Sequence, residues 1–410
     1  MVNGWVERPI TEVLKPNGIK IGPFGSQLKK EMLLSDGVYR VYGQENVYAH
    51  DFNIGDRYLT REHFNRLNSC EILPGDFVMS TMGTIGKCAI VPTTIQRGIM
   101  DSHLIRLRFD EKKVRSDYIL QLFSDQFHYL SDQTARLAVG GIMDGLSVGI
   151  VSRLNVIYPE SIEEQGKITK TLSAVDKLIF DLQKLIRKKK DIRQGTMQML
   201  LSGKHRLDGY SSSWRTSELS KVTSRIGVGL ATSVTQYYRD SGTIIFRNLN
   251  IKENYLDDTD ILYLDEDFAS RNPNKAIREG DVLTVHTGYV GISCVVPEKY
   301  DGALTFTTLI TTTNKKELLP EYLSYHLNSS LGHRVIEDLQ TSGGRNNLNV
   351  SDFEKYTLTF SKDINEQRAI VSVLADMDVE IRKLEEKLSK YQKVKQGMME
   401  ELLTGKVRLV

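Results

Sequence analysis

Four kinds of short segment in this chain carry residues able to hold a polyanion or to read a base, and each occurs once in either half. The first is Lys20-Ile-Gly22-Pro-Phe-Gly25-Ser26-Gln27 with Lys29 and Lys30 just beyond, matched later by Arg225-Ile-Gly227-Val-Gly229. Glycines let backbone amides come close to a phosphate while neighbouring cations neutralise it. The second places an amide, Gln44 in Tyr42-Gly-Gln-Glu-Asn46-Val and Asn248 in Phe246-Arg247-Asn-Leu-Asn250-Ile, where a side chain of this type can meet adenine through two hydrogen bonds. The third is a glycine turn, Thr81-Met82-Gly83-Thr84 with Lys87 following, and His286-Thr287-Gly288-Tyr289. The fourth joins a cation to paired glycines: Arg136 with Gly140-Gly141, and Ser342-Gly-Gly-Arg345-Asn346-Asn347. Any one of these is an ordinary solvated turn; their recurrence at corresponding points of two diverged halves is what points to nucleic-acid contact.

Enzyme signatures fail on context. Gly145-Leu-Ser147-Val-Gly149 has the spacing of a nucleophile elbow, but Gly-Gly-Ile-Met-Asp precedes it where a strand is required. Gly227-Val-Gly229-Leu-Ala-Thr lacks the third glycine of a dinucleotide site, and Gly83-Thr-Ile-Gly86-Lys87 is too short for a phosphate-binding loop. No histidine pair has the spacing of a zinc site, and Asn272-Pro-Asn-Lys lacks the second proline and the aromatic of an amino-methyl-transfer motif. The chain reads as non-catalytic, with no metal and no cofactor of its own.

The elements that position these loops come from a repeat. Residues 161–207 recur at 363–409 with a constant offset of 202, and 18 of the 47 aligned positions are identical, among them Glu164/Glu366, Gln165/Gln367, Gln194/Gln396, Gly195/Gly397 and a closing Leu-Leu-Ser/Thr-Gly-Lys-x-Arg-Leu. In the first copy Ile168, Leu172, Val175, Ile179, Leu182 and Ile186 step by 4, 3, 4, 3, 4, the rhythm of a coiled-coil seam. Ile370, Leu374, Met377, Ile381, Leu384, Leu388 and Tyr391 repeat it. Each copy is predicted to be a long helix of about 50–55 Å, closed by glycine at Gly203 or Gly405. Arg187-Lys-Lys-Lys190 on the first helix reads as a solvated face, since the second copy has Ser389-Lys-Tyr-Gln392 there.

The intervening blocks, 1–160 and 209–361, share fainter landmarks: Trp5 with Trp214, Pro74-Gly-Asp with Glu279-Gly-Asp, Pro92 with Pro297. Both alternate short β-branched and aromatic runs with Gly, Pro, Asn and Asp. Each is predicted to be a mixed α/β (α+β) domain with a mainly antiparallel, bent sheet and short helices near 116–131 and 320–340. The expected order is domain 1–160, helix 161–208, domain 209–361, helix 362–410.

Composition narrows the class. Net charge is +2, so any basic surface comes from arrangement. The three cysteines, Cys70, Cys88 and Cys294, are far apart with no Cys-x-x-Cys, which fits a reducing compartment. No stretch approaches a membrane span and MVNGWVERPITEV has no leader-like apolar run, so a soluble, cytoplasmic protein with no membrane partner is expected.

With strand-rich domains alternating with heptad helices, Ile-Gly-Pro-Phe-Gly-Ser near the start, and Glu-Gln opening and Leu-Leu-Ser/Thr-Gly-Lys-x-Arg-Leu closing each helix, the chain resembles the specificity subunit of type I restriction-modification enzymes over its whole length. The resemblance implies two target recognition domains held apart by an antiparallel coiled coil with pseudo-twofold symmetry, each reading one half of a bipartite, asymmetric duplex DNA target. It implies docking of two methyltransferase subunits that use S-adenosylmethionine, and recruitment of ATP- and Mg-dependent restriction/translocase subunits. The alternatives are a coiled-coil adaptor and the recognition half of a fused methyltransferase or nuclease.

Overall fold

The computed structural model describes residues 3–137, 145–343 and 347–410. Two compact units form: residues 1–183 with 386–410, discontinuous in sequence, and the continuous segment 184–385.

In the first unit the strands Leu14–Ile21, Leu104–Phe109, Phe77–Ser80 and Cys88–Ile90 lie side by side in that order, all antiparallel. A second sheet orders Tyr58–Leu59, Tyr39–Tyr42, Gly98–Met100 and Glu71–Ile72, with one parallel pair, Tyr39–Tyr42 on Gly98–Met100. Phe77–Ser80 is buried along its length, as the apolar run Phe-Val-Met requires of a central strand. The second unit repeats the plan. Thr223–Val228, Thr308–Thr313, Val282–Val285 and Ser293–Val295 form one sheet; Tyr238–Arg239, Leu262–Leu264, Thr243–Phe246 and Leu304–Thr305 form the other, again with a single parallel pair. Helices stand where the sequence places them, Ser116–Leu122 and Tyr129–Leu137 in one unit, Pro320–Leu327 and Ser330–Gly343 in the other. The fold is the expected mixed, mainly antiparallel α/β plan, built twice.

The repeats are continuous helices, Ile162–Leu201 and Ile364–Leu402, of 40 and 39 residues and so about 60 Å each. Within each unit the start of one runs antiparallel to the end of the other. In the first unit Glu164 meets Arg408 and Asp176 meets Lys395 at 2.6 Å. In the second, Arg206 meets Glu366 at 2.6 Å, Lys189 meets Glu380 at 2.7 Å and Lys190 meets Glu385 at 2.6 Å. Lys189 and Lys190 therefore help to clamp the helices, while Arg187 and Lys188 stay on the solvated face.

The apolar seam divides. Ile168 and Leu172 pack into the core of the first unit with Met399, Leu402 and Leu403, and Ile370, Leu374 and Met377 into that of the second with Met197, Leu200 and Leu201. These positions serve the domain cores. Ile179, Leu182, Ile186 and Ile381 are buried, and Val175, Leu384 and Leu388 are half-buried.

Each helix ends against a tryptophan of its unit's domain. Gly203 (φ +69°) and Gly405 (φ +75°) adopt the left-handed conformation, and a Cβ there would stand 3.2 Å from the Trp214 ring and 2.8 Å from the Trp5 ring. Between the helices, Asp176 pairs with Lys395 and accepts from Gln121 at 3.3 Å, while Asp378 pairs with Arg193 and accepts from the Tyr325 hydroxyl at 2.8 Å. One aspartate per unit thus ties both helices to the domain.

Candidate nucleic-acid interface

Three backbone segments converge in the first unit, and glycine makes this possible. Gly22 ends its strand with its N–H on the Leu104 carbonyl at 3.0 Å, and a Cβ at Gly22 would fall 1.7 Å from the Asp101 carbonyl oxygen. No side chain fits there. The loop beyond it leaves Phe24 64% exposed, and Gly25, Ser26, Lys29 and Lys30 face solvent, as does Lys20. Gly43 is followed by the short helix Gln44–Ala49, whose start is fixed by Asn46: its Oδ1 accepts from the Gly43 N–H at 3.0 Å and its Nδ2 donates to the carbonyls of Asp51 and Ile54. The third segment is the turn with Gly83 (φ +66°) and Gly86 (φ +79°). The Tyr48 hydroxyl joins the last two, 3.1 Å from Gln44 Oε1 and from the Met82 and Thr84 carbonyls, and it accepts from the Thr84 N–H at 3.1 Å.

The second unit rebuilds this from different side chains. Asn250 caps Arg247 N–H at 2.9 Å as Asn46 caps Gly43, and a Cβ at Gly229 would meet the Thr305 carbonyl oxygen at 2.2 Å, whereas Gly227 has open space around it. Asn248 Nδ2 donates to Thr287 Oγ1 at 2.9 Å, and its Oδ1 accepts from Thr308 at 3.3 Å. Tyr289 stands 85% exposed at the turn between Gly288 (φ +79°) and Gly291 (φ +98°).

Several of the residues singled out from sequence have partners inside the protein. Each end of the Asn248 amide makes one bond inside the protein, which holds it against Thr287 and Thr308 and leaves one N–H and one oxygen lone pair; Gln44 Oε1 likewise lies against the Tyr48 hydroxyl. The Thr81 side chain is buried, and its backbone works instead, accepting from Leu146 N–H at 2.8 Å and donating to His103 at 2.9 Å. Lys87 is paired with Asp125. Arg225 donates to the Asn274 and Ala276 carbonyls, and Arg247 pairs with Asp260 at 2.7 Å. His286 is half-buried, which lowers its pKa, and its carbonyl accepts from Leu348 N–H at 3.0 Å, matching Thr81 with Leu146. Arg136 is exposed, with Nε on the Asp132 carbonyl at 3.1 Å, and Asn347 is exposed beside Leu348. Gly140, Gly141, Arg345 and Asn346 lie outside the described residues.

A charged cluster at the centre of the first unit's loops carries no local sequence signal. Arg57 donates to Asp101 Oδ2 at 2.9 Å and to Glu45 Oε1 at 2.5 Å, and Asp101 Oδ1 accepts from His103 N–H at 2.9 Å. A Cβ on Gly43 would lie 2.3 Å from the Arg57 guanidinium, 2.4 Å from Glu45 and 2.7 Å from Asp101. The glycine next to Gln44 thus gives room to an ion cluster whose arginine is a distant residue. Among the described residues no group of three His, Cys, Asp or Glu side chains could hold a metal ion, and no helix is long and apolar enough to cross a membrane.

This architecture has close parallels. The family model of the type I restriction modification DNA specificity domain matches twice, over residues 3–194 and 212–394. The fold is similar to that of the S subunit of a type-I restriction-modification system from M. genitalium, with a TM-score of 0.61 at 14% identity over 97% of this chain and 96% of that one. It is also similar to a chain from a structure describing complex assembly and conformational transition of the type I R-M system, with a TM-score of 0.56 at 17% identity over 98% of each chain.

Proposed function

The chain belongs to the family of type I restriction modification DNA specificity domains and is a DNA specificity subunit, and we propose that it reads a bipartite, asymmetric duplex target with one half-site assigned to each unit. One observation carries this reading: the two units bring the same three segments together, with an asparagine cap on the middle one in each, yet join them through different side chains and present different ones. A common frame with diverged contact residues suits two recognition sites of unlike sequence, since backbone contacts set register and base-edge contacts specify.

The chemistry belongs to partners in this proposal. Two methyltransferase subunits using S-adenosylmethionine dock on the helices, restriction/translocase subunits using ATP and Mg join the assembly, and the complex is cytoplasmic. What supports docking is an exposed apolar stripe on the first helix: Leu185, Ile192 and Met199, seven residues apart, are all exposed, and their repeat mates are Lys387, Val394 and Glu401. Exposed apolar rows of this kind mark protein contacts.

Mapping methylated bases in DNA from cells that carry this chain with its methyltransferase tests the reading. A two-part sequence with unlike halves is expected, and none without the chain. Methyl transfer by the purified chain alone, given DNA and S-adenosylmethionine, would overturn it.

A further inference from the structure

The Glu45–Arg57–Asp101 cluster has a counterpart in the second unit, found by following backbone bonds. The Arg57 carbonyl accepts from Val41 N–H at 2.8 Å, and Leu262 pairs with Ile245, which precedes Phe246 as Val41 precedes Tyr42. Asp101 N–H donates to the Tyr42 carbonyl at 2.8 Å, and Phe306 N–H donates to the Phe246 carbonyl at 2.8 Å. Glu45 and Leu249 each precede the capping asparagine, Asn46 or Asn250. Three charged side chains are thus exchanged, position for position, for two leucines and a phenylalanine. The neighbouring residue changes too: Gly43, against which the ends of the three charged side chains pack, is replaced by Arg247, whose side chain bonds to Asp260.

Carboxylates on a surface that meets a polyanion are repelled by phosphate, so this cluster suits base edges and not the backbone. The side chains of Glu45 and Arg57 are 44% and 29% exposed while that of Asp101 is 6% exposed, so Asp101 anchors the cluster from within and Glu45 and Arg57 reach the surface. Two of the five guanidinium N–H donors are committed to the carboxylates, which fixes the plane of the fork. A fixed arginine fork matches guanine O6 and N7, and a free carboxylate oxygen matches the cytosine amino group. In the second unit Leu249 is 49% exposed with no charge among the three positions, and an apolar side chain there suits the thymine methyl.

We propose that Arg57, positioned by Glu45 and Asp101, reads a G·C pair in one half-site, and that Leu249 reads a thymine methyl in the other. This rests on the DNA-reading function proposed above and assigns a base class to each unit.

The test uses the full chain in complex with its methyltransferase, on duplexes carrying the sequence mapped by methylation. Guanines are replaced singly by deazaguanine, which lacks N7, and thymines by uracil, which lacks the methyl group. One guanine substitution in one half-site should weaken binding by roughly tenfold or more, and have no further effect on Arg57→Ala or on Arg57→Lys, which keeps the charge but loses the fork. Asp101→Asn, which keeps the shape but not the charge that orients Arg57, should lose discrimination at the same pair. One uracil substitution in the other half-site should weaken the wild type and leave Leu249→Ala indifferent. Analogue effects that persist undiminished in the Arg57 and Leu249 variants, or that are missing from the wild type, overturn the assignment while leaving the specificity function intact. A map with no sequence-specific methylation removes that function, and the assignment with it.

Discussion

Glu164 and Arg408 are separated by 244 residues and form a two-point ion pair, Nε to Oε1 at 2.6 Å and Nη2 to Oε2 at 2.7 Å. The Glu164 side chain is 1% exposed, so the last residues of the chain complete the unit that contains its first strand. The repeat offset of 202 carries this pair onto Glu366 and Arg206, which bond the same way at 2.6 and 2.8 Å.

Arg408→Ala leaves a buried carboxylate without its partner and should destabilise the first unit, by less than for a fully buried pair because the arginine is partly exposed. Denaturant unfolding measures the loss, and hydrogen exchange should locate it in residues 1–183 and not in 184–385. The reversed pair, Glu164→Arg with Arg408→Glu, should recover part of it.

Acid acts on the same pairs. The Arg408 guanidinium holds the Glu164 carboxyl below its ordinary range against burial; at Glu366 burial pushes upward most strongly, yet Arg206 and neighbouring hydrogen bonds leave it lowered as well. Carboxyls with lowered folded pKa values contribute stability that is fully present above their unfolded values, about 4.3, and lost as pH falls through the folded ones. Wild type should lose stability steeply below about pH 4, and Glu164→Gln should flatten that limb.

His326 is wholly buried with Nδ1 2.7 Å from the Tyr356 hydroxyl, and burial lowers its pKa to about 4. A base whose folded pKa lies below its unfolded one favours the native state at high pH, and that advantage falls away from about pH 6.5 downward. His326→Asn should remove this slope between pH 6.5 and 4 in the melting temperature.

Gly22→Ala forces a Cβ onto the Asp101 carbonyl, so the loop must move and DNA affinity should fall, with a loss of stability of about 1–3 kcal/mol. Gly25→Ala meets nothing within 4 Å and should melt as wild type does. Equal melting temperatures for the two would contradict the packing described.

Lys29 and Lys30 are exposed on the loop that follows Gly22. Replacing both by alanine should weaken binding evenly across sequences and reduce the slope of log K against log salt by about 0.9 for each phosphate that the pair neutralises. An unchanged slope would remove them from the interface.

Periodic and local features were legible in the residue order: the 202-residue repeat, the heptad helices, the strand-rich blocks and the glycine turns, because each depends on neighbours within a few positions. The seam was legible as a rhythm, but whether Ile168 or Ile370 faces a helix or a domain core depends on what packs beside it. Asn248 was legible as an amide near a glycine turn; that Thr287 and Thr308 occupy it was not. The Glu45–Arg57–Asp101 cluster and its apolar exchange, Leu249, Leu262 and Phe306, left no pattern along the chain. Their contacts join segments that only sheet formation brings together, and a side chain's chemistry depends on which distant group shares its low-dielectric surroundings. Residue order determined that this protein is built twice; the tertiary structure decided which charges meet and which of them remain exposed.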